Sequence, residues 1–194
     1  MGLSTLILGL IVFFVPHVFV TRRDARARLI ARIGEGPYKI AFSVVSAIGI
    51  VLIAYGFARY RATEWVNLWS PPVWTRHLAL QLNWLAAVCV AAAYIPGNIK
   101  RALKHPMLVG VKIWAFAHLI ANGDLGSIIL FGSFLAWAVF DRITLKRRSD
   151  PGAPDIRNGG WPTDIVALVV GTVGYVAIVF LVHPIIIGVP VMGG

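Results

Sequence analysis

The chain has 194 residues, 58% of them hydrophobic and only 13% charged, with a mean hydropathy of +0.79. About a quarter of an ordinary soluble domain is charged, so this composition excludes a soluble fold and predicts an integral membrane protein, organised as one domain over 1–194. The net charge of +10 does not point to nucleic acid, because Lys and Arg fall between apolar runs and do not gather on one soluble face.

A membrane span needs about 20 apolar residues. Six segments of that length or slightly less follow one another: Leu3–Val20, Lys39–Ala58, His77–Tyr94, Met107–Ala121, Leu125–Phe140 and Thr163–Pro184. They predict an all-α, polytopic helical bundle with about six transmembrane segments, in contact with membrane lipids. The first segment has no basic stretch before it and no small-residue cleavage site after it, so it reads as a helix and not as a signal peptide. Segments four and five are joined only by Asn122-Gly123-Asp124, which makes them a tight helical hairpin.

The connecting loops alternate in charge. Fourteen Lys and Arg lie in the first, third and fifth loops, against three in the second and none in the fourth. Lys and Arg accumulate on the cytoplasmic side, which predicts a bacterial inner-membrane protein with both termini periplasmic. Residues 24–33 (DARARLIARI) pattern as a short amphipathic helix on the inner leaflet, with Arg on one face and Leu29, Ile30 and Ile33 on another. Gly34-Glu35-Gly36-Pro37 breaks it. The fifth loop, about 146–162, is rich in Pro, Gly, Asp and Asn and reads as a flexible connector. Trp65, Trp69 and Trp74, with Pro71-Pro72, suit a cap at the outer interface.

Chemistry has few places to reside. Cys89 is the only cysteine, lies in an apolar run, and reads as a small buried residue. No phosphate-binding loop, dinucleotide fingerprint or hydrolase motif is present. Of the five histidines, His77 and His183 stand at segment ends, where an imidazole meets water and headgroups. His105 precedes Pro106, so it stands at a helix start, as a cap or as part of an anion site. His17 and His118 lie within apolar segments, where an ionisable group is costly and is a functional candidate by default. Helical spacing sets Phe13 beside His17 and Trp114 beside His118. Neutral imidazole is the commonest metal ligand among side chains, and flat apolar walls suit a porphyrin; a histidine bonded to a nearby backbone carbonyl explains the pattern equally well. Zinc wants three or four converging ligands, and His105 and His118 point to opposite sides of one helix.

The stretches ARLIARIGEGPYK, PPVWTRHLAL and KHPMLVGVKIWAFAHLIANGDLGSIILFGSFLAWAVFDR resemble the NnrU family of bacterial membrane proteins over nearly the whole chain. The family name implies a link to denitrification, in support of nitrite and nitric oxide reduction. The chain is also distantly similar to the plant 15-cis-zeta-carotene isomerases, membrane haem b proteins whose iron is held by two histidines. That resemblance implies haem b with His17 and His118 as metal ligands, His105 being the alternative to His118, and Trp114 and Phe13 lining the porphyrin. Lys112 and Arg22 are candidates to pair with its propionates. It leaves open an isomerase, a redox protein or a sensor, and names no catalytic residue. A looser resemblance, carried by Lys104-His105-Pro106 and the exit at Asp141-Arg142, is to membrane methyltransferases that bind S-adenosylmethionine. A third reading is a cofactor-free assembly partner of respiratory or denitrification enzymes.

Overall fold

The computed structural model describes residues 1–148, 159–189 and 191. Its helices are α1 (Gly2–Phe19), α2 (Arg23–Ile33), α3 (Glu35–Thr63), α4 (Val73–Tyr94), α5 (Asn98–Leu103), α6 (Pro106–Ala121), α7 (Leu125–Lys146) and α8 (Trp161–Ala177). The last runs on as a π-helix over Ile178–Ile187. No strand forms among the described residues; one isolated bridge joins Asn67 and Asp124. Five helices are long and apolar enough to cross a membrane, and α6, at 16 residues, is a shorter apolar helix. The protein is thus an all-α, multi-pass membrane protein. The flexible connector expected over 146–162 falls largely outside the described residues, and α8 already begins at Trp161.

Two segments are longer than the hydropathy pattern predicts. Helix α3 spans 29 residues, about 43 Å at 1.5 Å per residue, against roughly 30 Å of hydrocarbon. Its extra turns are the charged ends: Glu35 pairs with Lys39 at 2.8 Å, and Arg59 and Arg61 lie in the last turns. Charge ends the apolar run but not the helix. The sixth segment continues past Pro184, because the wider π spacing tolerates a residue that brings no N–H. Helix α5 has no hydrophobic pattern of its own. The Asp164 carboxylate creates its start, accepting the Ile99 N–H at 3.0 Å and Asn98 Nδ2 at 2.8 Å.

The chain divides into two compact units, 1–69 with 123–133, and 70–122 with 134–194. In the first, α1 and α3 pack along a glycine seam. A Cβ on Gly2 would meet the Tyr60 nitrogen at 2.3 Å, one on Gly9 the Ile53 nitrogen at 2.6 Å, one on Gly49 the Phe13 nitrogen at 2.8 Å, and one on Gly56 the Leu6 nitrogen at 2.3 Å. Gly2 and Gly9 are seven residues apart, as are Gly49 and Gly56. That spacing keeps them on one stripe, as when small residues let membrane helices approach closely. The Glu64 carboxylate closes the pair, accepting the N–H of Gly2 at 2.6 Å and of Leu3 at 3.1 Å, and pairing with the Met1 amine. Helix α2 differs from expectation in which residues face inward. Ile33 is exposed, whereas Arg26 is half-buried with its guanidinium 5.4 Å from the Tyr38 ring centre. The long aliphatic stem of an Arg packs as an apolar residue would.

In the second unit α4 is central. Its alanine-rich face, with Ala79, Ala86, Ala91 and Ala92 buried, takes α6 on one side and α8 on the other. Gly110 of α6 approaches the Ala86 carbonyl, and Gly171 of α8 approaches the Val88 backbone. Trp84 Nε1 donates to Thr172 Oγ1 at 3.0 Å across α4 and α8. Leu108 of α6 packs on Ala138 and Leu145 of α7.

Candidate functional site

Both histidines within apolar helices are tied to their own backbone. His17 Nδ1–H donates to the Phe13 carbonyl at 2.6 Å, and His118 Nδ1–H donates to the Trp114 carbonyl at 2.8 Å. A carbonyl only accepts, so Nδ1 carries the proton in the neutral ring and Nε2 carries the lone pair. Spending one nitrogen on a carbonyl of the same helix fixes tautomer and ring orientation, as with histidines that ligate metals. The arrangement meets the expectation of a histidine bonded to a nearby backbone carbonyl.

Each ring stands among aromatics of its own unit. In the first unit His17 stacks on Phe13, with centroids 4.1 Å apart and planes at 26°, and faces Phe42 of α3 at 4.9 Å. Phe42 is in reach because the glycine seam draws α3 onto α1. In the second unit Trp114 lies 5.3 Å from His118 and meets Phe134 edge-on, also at 5.3 Å. Arg22 stands just before α2 and Lys112 midway along α6. His17 and Arg22 belong to the first unit; His105, Lys112, Trp114 and His118 belong to the second.

His105 occupies the residue before α6, with Pro106 in the first turn, but its side chain makes no capping bond. This corrects the expectation of a side-chain cap. Its backbone N–H donates to the Leu103 carbonyl at 2.7 Å, in a tight turn that holds Lys104 at φ 60°. Partial burial, and then the Arg142 guanidinium, lower the pKa of the ring, with Asp141 acting the other way. His105 and Arg142, which the sequence sets 37 residues apart, therefore share one electrostatic environment.

One arrangement escaped sequence reasoning. In the second unit His118 lines a cavity of about 280 Å³ together with Arg76, Asn83, Asn122 and His183. His183, expected to be an interfacial anchor, lines this cavity, and its Nδ1–H donates to the Val189 carbonyl at 2.9 Å, so its lone pair is also on Nε2. Asn83 Nδ2 donates to the Ala79 carbonyl at 2.8 Å, while its Oδ1 is buried without a hydrogen-bond partner among the described residues. A polar amide inside an apolar segment was the available signal; nothing in the sequence brought it to His183, 100 residues further on. Among the described residues no three His, Cys, Asp or Glu converge as metal ligands.

No curated protein and no solved structure matches the chain. A family model described as NnrU protein matches residues 5–191. The chain therefore belongs to the NnrU family.

Proposed function

We propose that the protein is a membrane haem b protein, linked to nitrite and nitric oxide reduction or to a redox-dependent isomerisation, with His17 and His118 as the residues that would hold its iron. The observation that carries this reading is the matched tethering of the two imidazoles. Each holds its proton on Nδ1 and its lone pair on Nε2, and each stands against aromatic rings. Neutral imidazole with apolar, aromatic walls is the donor set a low-spin haem takes. Bound there, haem supplies one-electron chemistry. The chain's own residues orient the imidazoles and keep their surroundings apolar. Arg22 and Lys112 are the cations offered to propionates. The loop charges support insertion in the bacterial inner membrane with both termini periplasmic. A second reading, binding of S-adenosylmethionine, draws on the shared environment of His105 and Arg142.

The test is the absorption spectrum of detergent-purified protein, oxidised and dithionite-reduced, beside His17→Ala, His118→Ala and the double variant. Haem ligation by these residues gives a Soret band and sharp reduced α and β bands, which are lost in the double variant. A protein that stays colourless after haem reconstitution refutes the reading. Binding of S-adenosylmethionine that is lost in His105→Ala would then carry the second.

A further inference from the structure

A second cavity lies beside the one at His183. Asn83 lines both. The second has a volume of about 480 Å³, runs between α4, α6 and α8, and is walled by Ala87, Val90, Gly110, Trp114 and Gly174, among others. Asn83 thus stands between a chamber that carries polar side chains and an apolar groove. Gly174 borders open space, since a Cβ built there meets no atom within 4 Å.

We infer that this chamber and groove bind a single-tailed membrane hydroquinone, with the ring in the chamber and the isoprenoid tail in the groove. The groove fixes the tail, because it is apolar and bounded by three helices of one unit. The chamber fixes the head. Asn83 Oδ1 and His183 Nε2 are hydrogen-bond acceptors, and Arg76 is a donor. A hydroquinone hydroxyl donates and accepts, so its two hydroxyls meet both acceptors and the guanidinium. A quinone only accepts and leaves the buried Asn83 oxygen unpaired, which is costly. A phospholipid phosphate wants several donors, and among the described residues Arg76 is the one fixed cation lining the chamber. A hydrocarbon or carotenoid without hydroxyls meets none of these groups. Hydroquinone binding goes beyond the haem reading and does not rest on it, since Asn83, His183 and Gly174 carry it.

The test measures retention of decylubiquinol and of decylubiquinone by the purified protein in detergent. It is anaerobic, with empty micelles as the blank and extracted probe quantified by chromatography. The wild type is expected to hold about one decylubiquinol per chain, and to bind it about tenfold more tightly than the quinone, as for a site that loses one buried hydrogen bond. Asn83→Leu removes the acceptor at similar volume and is expected to abolish that preference. Gly174→Leu places a side chain at the groove wall, where a Cβ meets no atom within 4 Å, and is expected to weaken both probes at least tenfold while helicity and melting are kept. Equal binding of quinol and quinone by the wild type, unchanged binding in Gly174→Leu, or equally effective displacement of the probe by phosphatidylethanolamine each overturns the inference. The readout is bound probe and not colour, so a colourless protein that retains decylubiquinol refutes haem alone.

Discussion

A single methyl group at Gly56 tests whether the glycine seam holds the first unit together. In Gly56→Ala the new Cβ would lie 2.3 Å from the Leu6 nitrogen and 2.8 Å from both the Leu6 Cα and the Thr5 carbonyl carbon. These are backbone atoms, and no rotamer relieves them. Ordinary contact begins near 3.4 Å, so α1 and α3 must part by about 1 Å. A gap of that size forfeits between a quarter and a half of each dispersion contact along the stripe. Overpacking of this kind costs about 1–3 kcal/mol. Alanine returns up to about 1 kcal/mol of helix propensity over glycine. The expected net loss is about 1 kcal/mol, roughly fivefold in the unfolding equilibrium. Gly132→Ala in α7 is the matched control, because a Cβ there meets nothing within 4 Å; it should be neutral or stabilising by up to about 1 kcal/mol. The assay is unfolding in mixed micelles of rising SDS fraction, followed by far-UV circular dichroism. Gly56→Ala that unfolds at or beyond the wild-type midpoint refutes close packing as the source of α1–α3 stability. The seam also reaches the site. Gly49 abuts Phe13, whose carbonyl holds His17, so Gly49→Ala should disturb the His17 environment as well as stability.

The remaining predictions concern polar contacts. Hydrogen bonds from the Met1 amine and then from the Leu3 and Gly2 N–H groups lower the Glu64 pKa to about 2. A depressed carboxylate stabilises the fold fully above its ordinary pKa near 4.5 and loses that contribution as pH falls toward 2; acid titration should therefore loosen α1 in the wild type, and the pH dependence should flatten in Glu64→Gln. Asp124, fully buried, accepts the Ser127 N–H at 2.9 Å and so caps α7; Asp124→Ala should cost about 1 kcal/mol, whereas Asp124→Asn keeps the capping oxygen and should cost less, as measured by SDS unfolding. Trp84→Phe removes the indole bond to Thr172 and should cost about 0.6 kcal/mol, the average for such bonds between membrane helices. His105 has a lowered pKa, so its unfolded form binds more protons just below pH 6.5; stability at this turn should fall as pH drops through that range, and His105→Gln should remove the effect from a pH series of melting curves.

What the sequence made legible, and what it hid, follows from the solvent. Lipid demands long apolar helices with their backbone bonds satisfied internally, so the number and order of the segments could be read from hydropathy alone. Helix ends could not, because the charged turns of α3 and the π-helical run through Pro184 lie beyond the apolar signal. The glycine seam has a period of seven, visible in Gly2, Gly9, Gly49 and Gly56, but only the fold pairs the two stripes. Within a bilayer an imidazole must place both nitrogens. His17 and His118 each satisfy Nδ1 locally, at i−4, and spacing was enough to suggest it. The second nitrogen faces away from its own helix, and its partner is set by tertiary structure or by a ligand. His183 and Asn83 follow the same logic. Each satisfies one polar atom with a nearby carbonyl and lines a cavity that no stretch of sequence encloses. In water such an atom would be solvated at little cost. In hydrocarbon, an Asn83 Oδ1 left unpaired costs free energy that a hydrogen-bond-donating ligand recovers.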